Sequence, residues 1–365
     1  MKKGIIKPTR RVATLEEVAE YGQPGLKRRG LVPPIQGAQP IMSETVFGFA
    51  KEATFGTFVA PTRFMPGMPT ITSTRNIVRP EQARGYRGFV FDQTVGMTTD
   101  VSVTGELLPD GSFNFACASA FGSGSDNYSS SGGVATHSLT PQPQLPPVSY
   151  EQDMDIIPGE QVLARQVTGC YVDQFQIKAT NQQLITATIN LVGQREITPT
   201  TPGNPSNSNP TYFANASPYS YTMLATTYKG QNSTQMLDCT LALMNHTQRV
   251  FAANGQFYAA RLVPTRREVT LTTLLDFLDT NFYTDWFNST KTTGWVLTFT
   301  HVTNIPSTSQ PYQVQFTIPG TRPSGEYSMP VASDVIQQNV SWSVTVAGQS
   351  EISSIWLDDT AGQLA

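Results

Sequence analysis

Six stretches of this chain alternate apolar and polar residues with a period of two. In 184–193, Ile185, Ala187, Ile189 and Leu191 fall on one face, and in 166–179 so do Val167, Tyr171, Phe175 and Ile177. The pattern recurs in Val269, Leu271, Leu275 and Phe277, in Trp295, Leu297 and Phe299, in Val314, Phe316 and Ile318, and in Val340, Trp342, Val344 and Val346. Successive side chains of a strand point to opposite faces, so each run reads as a strand with one buried face. Half-buried strands of this kind are mostly antiparallel. The link 180–183, between the first two runs along the chain, makes them a hairpin.

Two short helices punctuate the strands. One spans roughly 109–122, with Pro109 near its first turn and Gly122 at its end. The other lies in 279–290 and is expected to bury Phe282 and Trp286, with Phe287 beside them. Two long loops are expected, a flexible Ser/Gly-rich one at 122–137 and a Pro/Asn-rich one at 198–218. Strands continue on both sides of the second loop, so nothing divides the body. The expected fold is an antiparallel β-sandwich or partly closed barrel at 46–350, with short flanking helices. An extended arm (1–45) precedes it and a tail (351–365) follows.

The arm differs in charge from the body. Residues 1–40 hold eight Lys or Arg and three Glu, a balance of +5, whereas the whole chain carries −3. Within the arm, Thr14 and Glu17 form a capping box and Gly22 closes a short helix near 15–21. A helix this short is marginal in water and forms mainly when docked. Lys7, Arg10, Arg11, Lys27, Arg28 and Arg29 are therefore candidate contacts to a neighbouring subunit. Tyr212 and Phe213, in the second long loop, are candidates of the same kind. Only 14% of residues are charged. That suits a surface covered by partners, and equally a plain β-rich composition.

Little in the chain suggests catalysis. Cys117, Cys170 and Cys239 are far apart and read as small buried hydrophobes. His137, His246 and His301 lack metal-ligand spacing, and no Gly-x-Ser-x-Gly elbow occurs. Glu151, Asp153 and Asp155 alternate along a strand, as an acidic strip facing a channel or solvent, without the turn a calcium loop needs. Asp358 and Asp359 read as a solvated end, and Arg266, Arg267 and Glu268 as a salt-bridged strand edge. No metal, cofactor or catalytic group is expected. No secretory core and no run of about 18–20 apolar residues is present, so no membrane-spanning segment is expected.

The stretch 51–67, KEATFGTFVAPTRFMPG, offers Gly56 for a turn and Phe55, Phe58 and Phe64 to pin the segment to a sheet. With the strand after it, this stretch resembles the opening of siphophage-type tail tube (major tail) proteins. Glu52, Thr54, Phe55, Gly56, Thr57, Ala60, Pro61, Thr62, Arg63 and Phe64 fit that opening. Segments 103–123, 168–196, 266–300, IPGTRPSG and NVSWSVTVAG resemble later parts of the same family, in order, over about 47–347. The long basic arm and the two long loops depart from it. The resemblance implies a structural virion protein made in the host cytoplasm. Such subunits form homohexameric rings that stack into a tube. Its lumen would hold a tape measure protein and pass double-stranded DNA into the host, with tail tip and terminator proteins at the ends.

Two other classes compete with this reading. A receptor- or carbohydrate-binding β-sandwich of a tail tip or surface adhesin would use loop aromatics such as Tyr212, Phe213, Tyr219 and Tyr221. A hydrolase on a β scaffold would need acid–base pairs that the sequence does not offer.

Overall fold

The computed structural model describes residues 45–61, 64–79, 92–109, 111–157, 161–197, 217–278, 280–290, 294–328, 331–332, 335–344 and 351–359. All belong to one compact unit, Pro40–Ala365. In chain order β1 (Thr45–Lys51), β2 (Met68–Val78) and β3 (Gln93–Glu106) lead into α1 (Gly111–Phe121). Next come β4 (Asp126–Ser131), β5 (Val134–Leu139), β6 (Val148–Ile157), β7 (Gln161–Thr180), β8 (Thr186–Gly193) and β9 (Arg195–Ile197). The middle holds β10 (Leu224–Tyr228), β11 (Gln231–Asn232), β12 (Met236–Met244), β13 (Gln248–Val250), β14 (Arg261–Val263), β15 (Glu268–Asp276) and α2 (Asn281–Phe287). Last are β16 (Trp295–Asn304), β17 (Pro311–Ile318), β18 (Thr321–Ser328), β19 (Val331–Ala332), β20 (Val335–Val344) and β21 (Ser353–Asp358).

Nearly all of these strands fall into two antiparallel sheets. The main sheet runs β18-β20-β15-β12-β7-β8-β3-β2, with β1, β6, β9 and β19 attached off this path. The second runs β11-β10-β16-β17-β21-β5-β4, and β13 and β14 pair separately. None of the sheets closes into a barrel, so the sandwich half of the expectation holds. Val103, Ile177, Ile189 and Leu271 of the main sheet share one apolar core with Leu297, Phe316 and Trp356 of the second. Trp342 on β20 meets Trp295 on β16 with ring centroids 5.5 Å apart, and Phe282 of α2 stacks on Trp295 at 5.9 Å. Offset and edge-on aromatic contacts of this type add about 0.5–1.5 kcal/mol each beyond the area they bury.

Every residue of α1 is buried, in keeping with a sequence that carries no charge on any side and is mostly Ala, Phe and Ser. It ends at Gly122, whose φ of +125° belongs to glycine. A Cβ there would lie 2.7 Å from the Gln144 carbonyl oxygen, so no other residue fits.

The strand readings hold with instructive exceptions. The expected hairpin is β7–β8, and Ile185, Ala187, Ile189 and Leu191 are all buried. Tyr171, however, does not share the face of Phe175. A bulge between Val172 and Gln174 shifts the register by one residue. Val172 therefore turns to the core, and Tyr171 packs instead against Phe55, 5.8 Å between centroids. The segment 122–137 is not a flexible loop. It turns at Gly132–Gly133 to form the β4–β5 hairpin, which joins the second sheet through β21. Of the aromatics expected to be buried in α2 only Phe282 is; Trp286 is partly exposed and Phe287 is 70% exposed.

Candidate functional site

The main sheet has a core face and a polar face. Ile71, Val101, Leu191 and Ile189 point inward, so their strand neighbours point out. The register carries one outward row across eight strands, through Met68, Thr104, Thr188, Gln176, Ala242, Thr270, Ser343 and Arg322. The next row runs through Thr70, Ser102, Asn190, Gln174, Met244 and Glu268. Hydroxyls and amides knit the strands together on this face. Ser102 Oγ donates to Asn190 Oδ1 at 2.7 Å, Asn190 Nδ2 to Gln174 Oε1 at 2.8 Å, and Gln174 Nε2 to Gln176 Oε1 at 2.9 Å. Thr104 and Thr188 hydroxyls lie 3.3 Å apart. Among the described residues the ionisable groups on the outward rows are Asp100, Glu106, Asp238, Glu268 and Asp276 against Lys178 and Arg322, and Arg249 and Arg266 pair with Asp100 and Glu268 from beside them. Such a face has acceptors and donors in quantity but no cluster of cations to hold phosphate.

The path ends in two open strands. Among the described residues β2 pairs only with β3, and β18 only with β20. The β18 edge also receives a hydrogen bond from Trp286 Nε1 to the Gly325 carbonyl at 3.2 Å.

The stretch 51–67 anchors the sheet's other extension. Glu52 is buried, and its carboxylate accepts from Gly56 N (2.8 Å), Gly169 N (2.8 Å) and Ser149 Oγ (2.7 Å). Three strands are thereby tied to one side chain, because Glu52 follows β1, Ser149 is on β6 and Gly169 on β7. Gly56 has φ +78°, the turn geometry read from the sequence, and Phe64 is fully buried.

The candidate contacts Lys7, Arg10, Arg11, Lys27, Arg28, Arg29, Tyr212 and Phe213 lie outside the described residues. Other expectations need correction. Glu151 and Asp153, on β6 between β1 and β7, are buried in the subunit and form no acidic strip open to solvent. Asp358 is buried too, with its Oδ1 3.4 Å from Nε2 of a fully buried His137. Tyr219 packs edge-on against Phe299 at 6.3 Å and offers no loop platform. Arg266 does pair with Glu268, at 2.8 Å, at the start of β15. All three cysteines are free and buried. Among the described residues no group of three or more His, Cys, Asp or Glu is placed to hold a metal, and no helix is long and apolar enough to cross a membrane.

Comparison with family models finds a match to the phage tail tube protein family over residues 42–348. The chain belongs to the phage tail tube protein family. Membership makes it a structural protein of the virion's tail, which assembles into a tube with other tail components. No curated protein matches the chain. The matched span takes in β1 to β20, and so the whole polar face of the tube subunit.

Proposed function

We propose that six copies of this tube subunit close into a ring whose polar sheet faces line a lumen, and that rings stack into a conduit for DNA. The observation that carries this reading is the open-ended, eight-strand path with its hydroxyl-rich face. Because the path holds an even number of antiparallel strands, β18 and β2 run in opposite directions. A copy rotated about an axis along the strands then sets its β18 antiparallel to the first copy's β2, which continues the hydrogen-bond ladder. A lining of Thr, Ser, Asn and Gln, with its Asp100 and Glu268 carboxylates already paired to Arg249 and Arg266, gives a polyanion no cluster of unpaired cations to bind. The lumen would hold a tape measure protein before DNA passes, with tip and terminator proteins closing the ends. The subunit is made in the host cytoplasm. In this reading the basic arm, through Lys7, Arg10, Arg11, Lys27, Arg28 and Arg29, together with Tyr212 and Phe213, reaches neighbouring subunits.

The test is negative-stain microscopy of the purified full chain, with mass from light scattering. Sixfold rings or tubes with a central hole are expected. A monomer at every concentration, or one that binds a glycan array, would instead favour a receptor-binding sandwich.

A further inference from the structure

Helix α2 sits on the core side of the β18 edge. Its Phe282 points inward and meets Trp342 of β20 and Trp295 of β16. Trp286 donates from Nε1 to the Gly325 carbonyl of β18. Asp285 faces the other way, holding Lys229 Nζ at 2.6 Å and accepting from the Tyr228 hydroxyl at 2.7 Å at the end of β10. A helix turns about 100° per residue, so Tyr283 and Phe287 follow Trp286 outward on the β18 flank, away from β10. The three rings form a ladder, with Tyr283 6.2 Å from Trp286 and 6.0 Å from Phe287 between centroids. Its outer member, Phe287, is exposed, as is Leu278 just before the helix.

Neighbouring strands of a sheet lie about 4.8 Å apart, whereas a helix with its side chains is about 10 Å wide. A helix seated on the core side of an edge strand therefore overhangs whatever strand joins that edge. In the ring reading that strand is β2 of a second copy, and a continuous ladder puts the core sides of both sheets on the same side. The core-side row of β2 is Pro69, Ile71, Ser73 and Arg75. Ile71 is buried within its own subunit. Ser73 donates to Glu196, which Arg165 holds at 2.7 Å. Arg75 ends the row exposed, a cation on the side of the sheet where the aromatic ladder arrives.

Resting on the ring reading above, we infer that α2 is a clamp between neighbours within one ring. Tyr283 and Phe287 of one copy pack on the core-side row of the next copy's β2, and the Arg75 guanidinium lies against an aromatic face. The occupant is a second copy of this chain because the aromatic ladder is continuous with the β18 edge, so whatever extends that edge must also meet it. A planar guanidinium stacks on an aromatic face and gives up little hydration in doing so. The clamp adds selectivity that the main chain lacks. A bare strand edge accepts any extended segment, but only one with a cation and a small-residue row on the correct side also satisfies the aromatics.

The test places the photoreactive aromatic p-benzoylphenylalanine at position 287 of the full chain and mixes isotope-labelled with unlabelled copies before irradiation. Crosslinks that join a labelled to an unlabelled peptide are expected to pair α2 with a peptide containing β2. Two exposed-site variants give a second readout, Phe287→Ala and Arg75→Gln. Their thermal unfolding should match the parent's. The protein concentration at half-assembly, from light scattering, should rise on the order of tenfold for Phe287→Ala and roughly threefold for Arg75→Gln. Where rings form, capture confined to the same chain, or to a segment of the second copy other than β2, would overturn the clamp and leave the ring standing. So would assembly of either variant at the parent's concentration. A parent that forms no rings at all would overturn the ring reading, and this inference with it.

Discussion

Asp126 Oδ2 lies 2.7 Å from Nδ1 of His137 in a site where the imidazole is wholly buried. Asp358 faces the other ring nitrogen at 3.4 Å and is itself met by Asn114 Nδ2 at 3.4 Å. Burial alone would lower the His137 pKa, but the hydrogen bonds and charges of Asp126 and Asp358 outweigh it and push the value up to about 10. The folded value thus exceeds the ordinary 6.5 of the unfolded chain. The stability gained is complete below pH about 6.5 and is lost as pH rises from there through about 10. Melting temperature should therefore fall over that window in the parent and fall less in His137→Gln. At pH 6, His137→Ala should cost about 3–5 kcal/mol, because it strands two buried carboxylates. Denaturant titration at pH 6 and pH 10 checks both statements.

Glu52→Ala should destabilise the fold by about 3 kcal/mol, because the backbone N–H groups of Gly56 and Gly169 both lose their acceptor. Glu52→Gln keeps an acceptor oxygen and should cost roughly half as much. Urea midpoints at unchanged slope measure the difference. Equal midpoints for the two variants would overturn the acceptor role, since a neutral acceptor oxygen would then do no better than none.

Trp342 joins the two sheets and also donates from Nε1 to Thr273 Oγ1 at 2.9 Å. Trp342→Ala should cost about 3–5 kcal/mol. Trp342→Phe keeps the ring contacts with Trp295 and Tyr228 while leaving the Thr273 hydroxyl without its donor. It should cost less, about 1–3 kcal/mol. Thermal and chemical unfolding of both variants rank them.

The polar face makes a prediction about DNA. Thr104→Lys with Thr188→Lys adds two cations on adjacent strands of that face, and surface changes of this type cost about 0.5 kcal/mol or less. Tubes should still form, but they should now retain duplex DNA in low salt and release it as salt rises. Filter binding across a salt series reads this out. DNA retention equal to the parent's would argue that this face does not line the lumen.

The sandwich was legible because its core strands are regular. Ile185 to Leu191 and Trp295 to Phe299 alternate without interruption, and the structure buries them as read. Legibility failed where local pattern gave way to distant partners. The Ser-rich strand β4 has almost no apolar face of its own, and its hairpin is held by pairing with β21, more than 200 residues later, through contacts such as Trp356 opposite His137. No window of sequence contains that information. The Asp173 bulge misled for the opposite reason. One extra residue inverts every later side chain, and nothing in VDQ marks it. The polar face was present in the alternation as the complement of the buried one, but its extent over eight strands emerged only from the registers.

The open ladder of β2 and β18 has a cost for the lone subunit. An unpaired strand edge accepts any extended chain that comes near, and eight of the eleven residues of β2 are exposed. A newly made copy is therefore safest when partners are abundant, since docking removes the very surface that invites misassociation. The isolated protein should store best already polymerised and aggregate most readily when diluted and warmed. The hazard of the edge and its usefulness are one property, separated only by which neighbour arrives first.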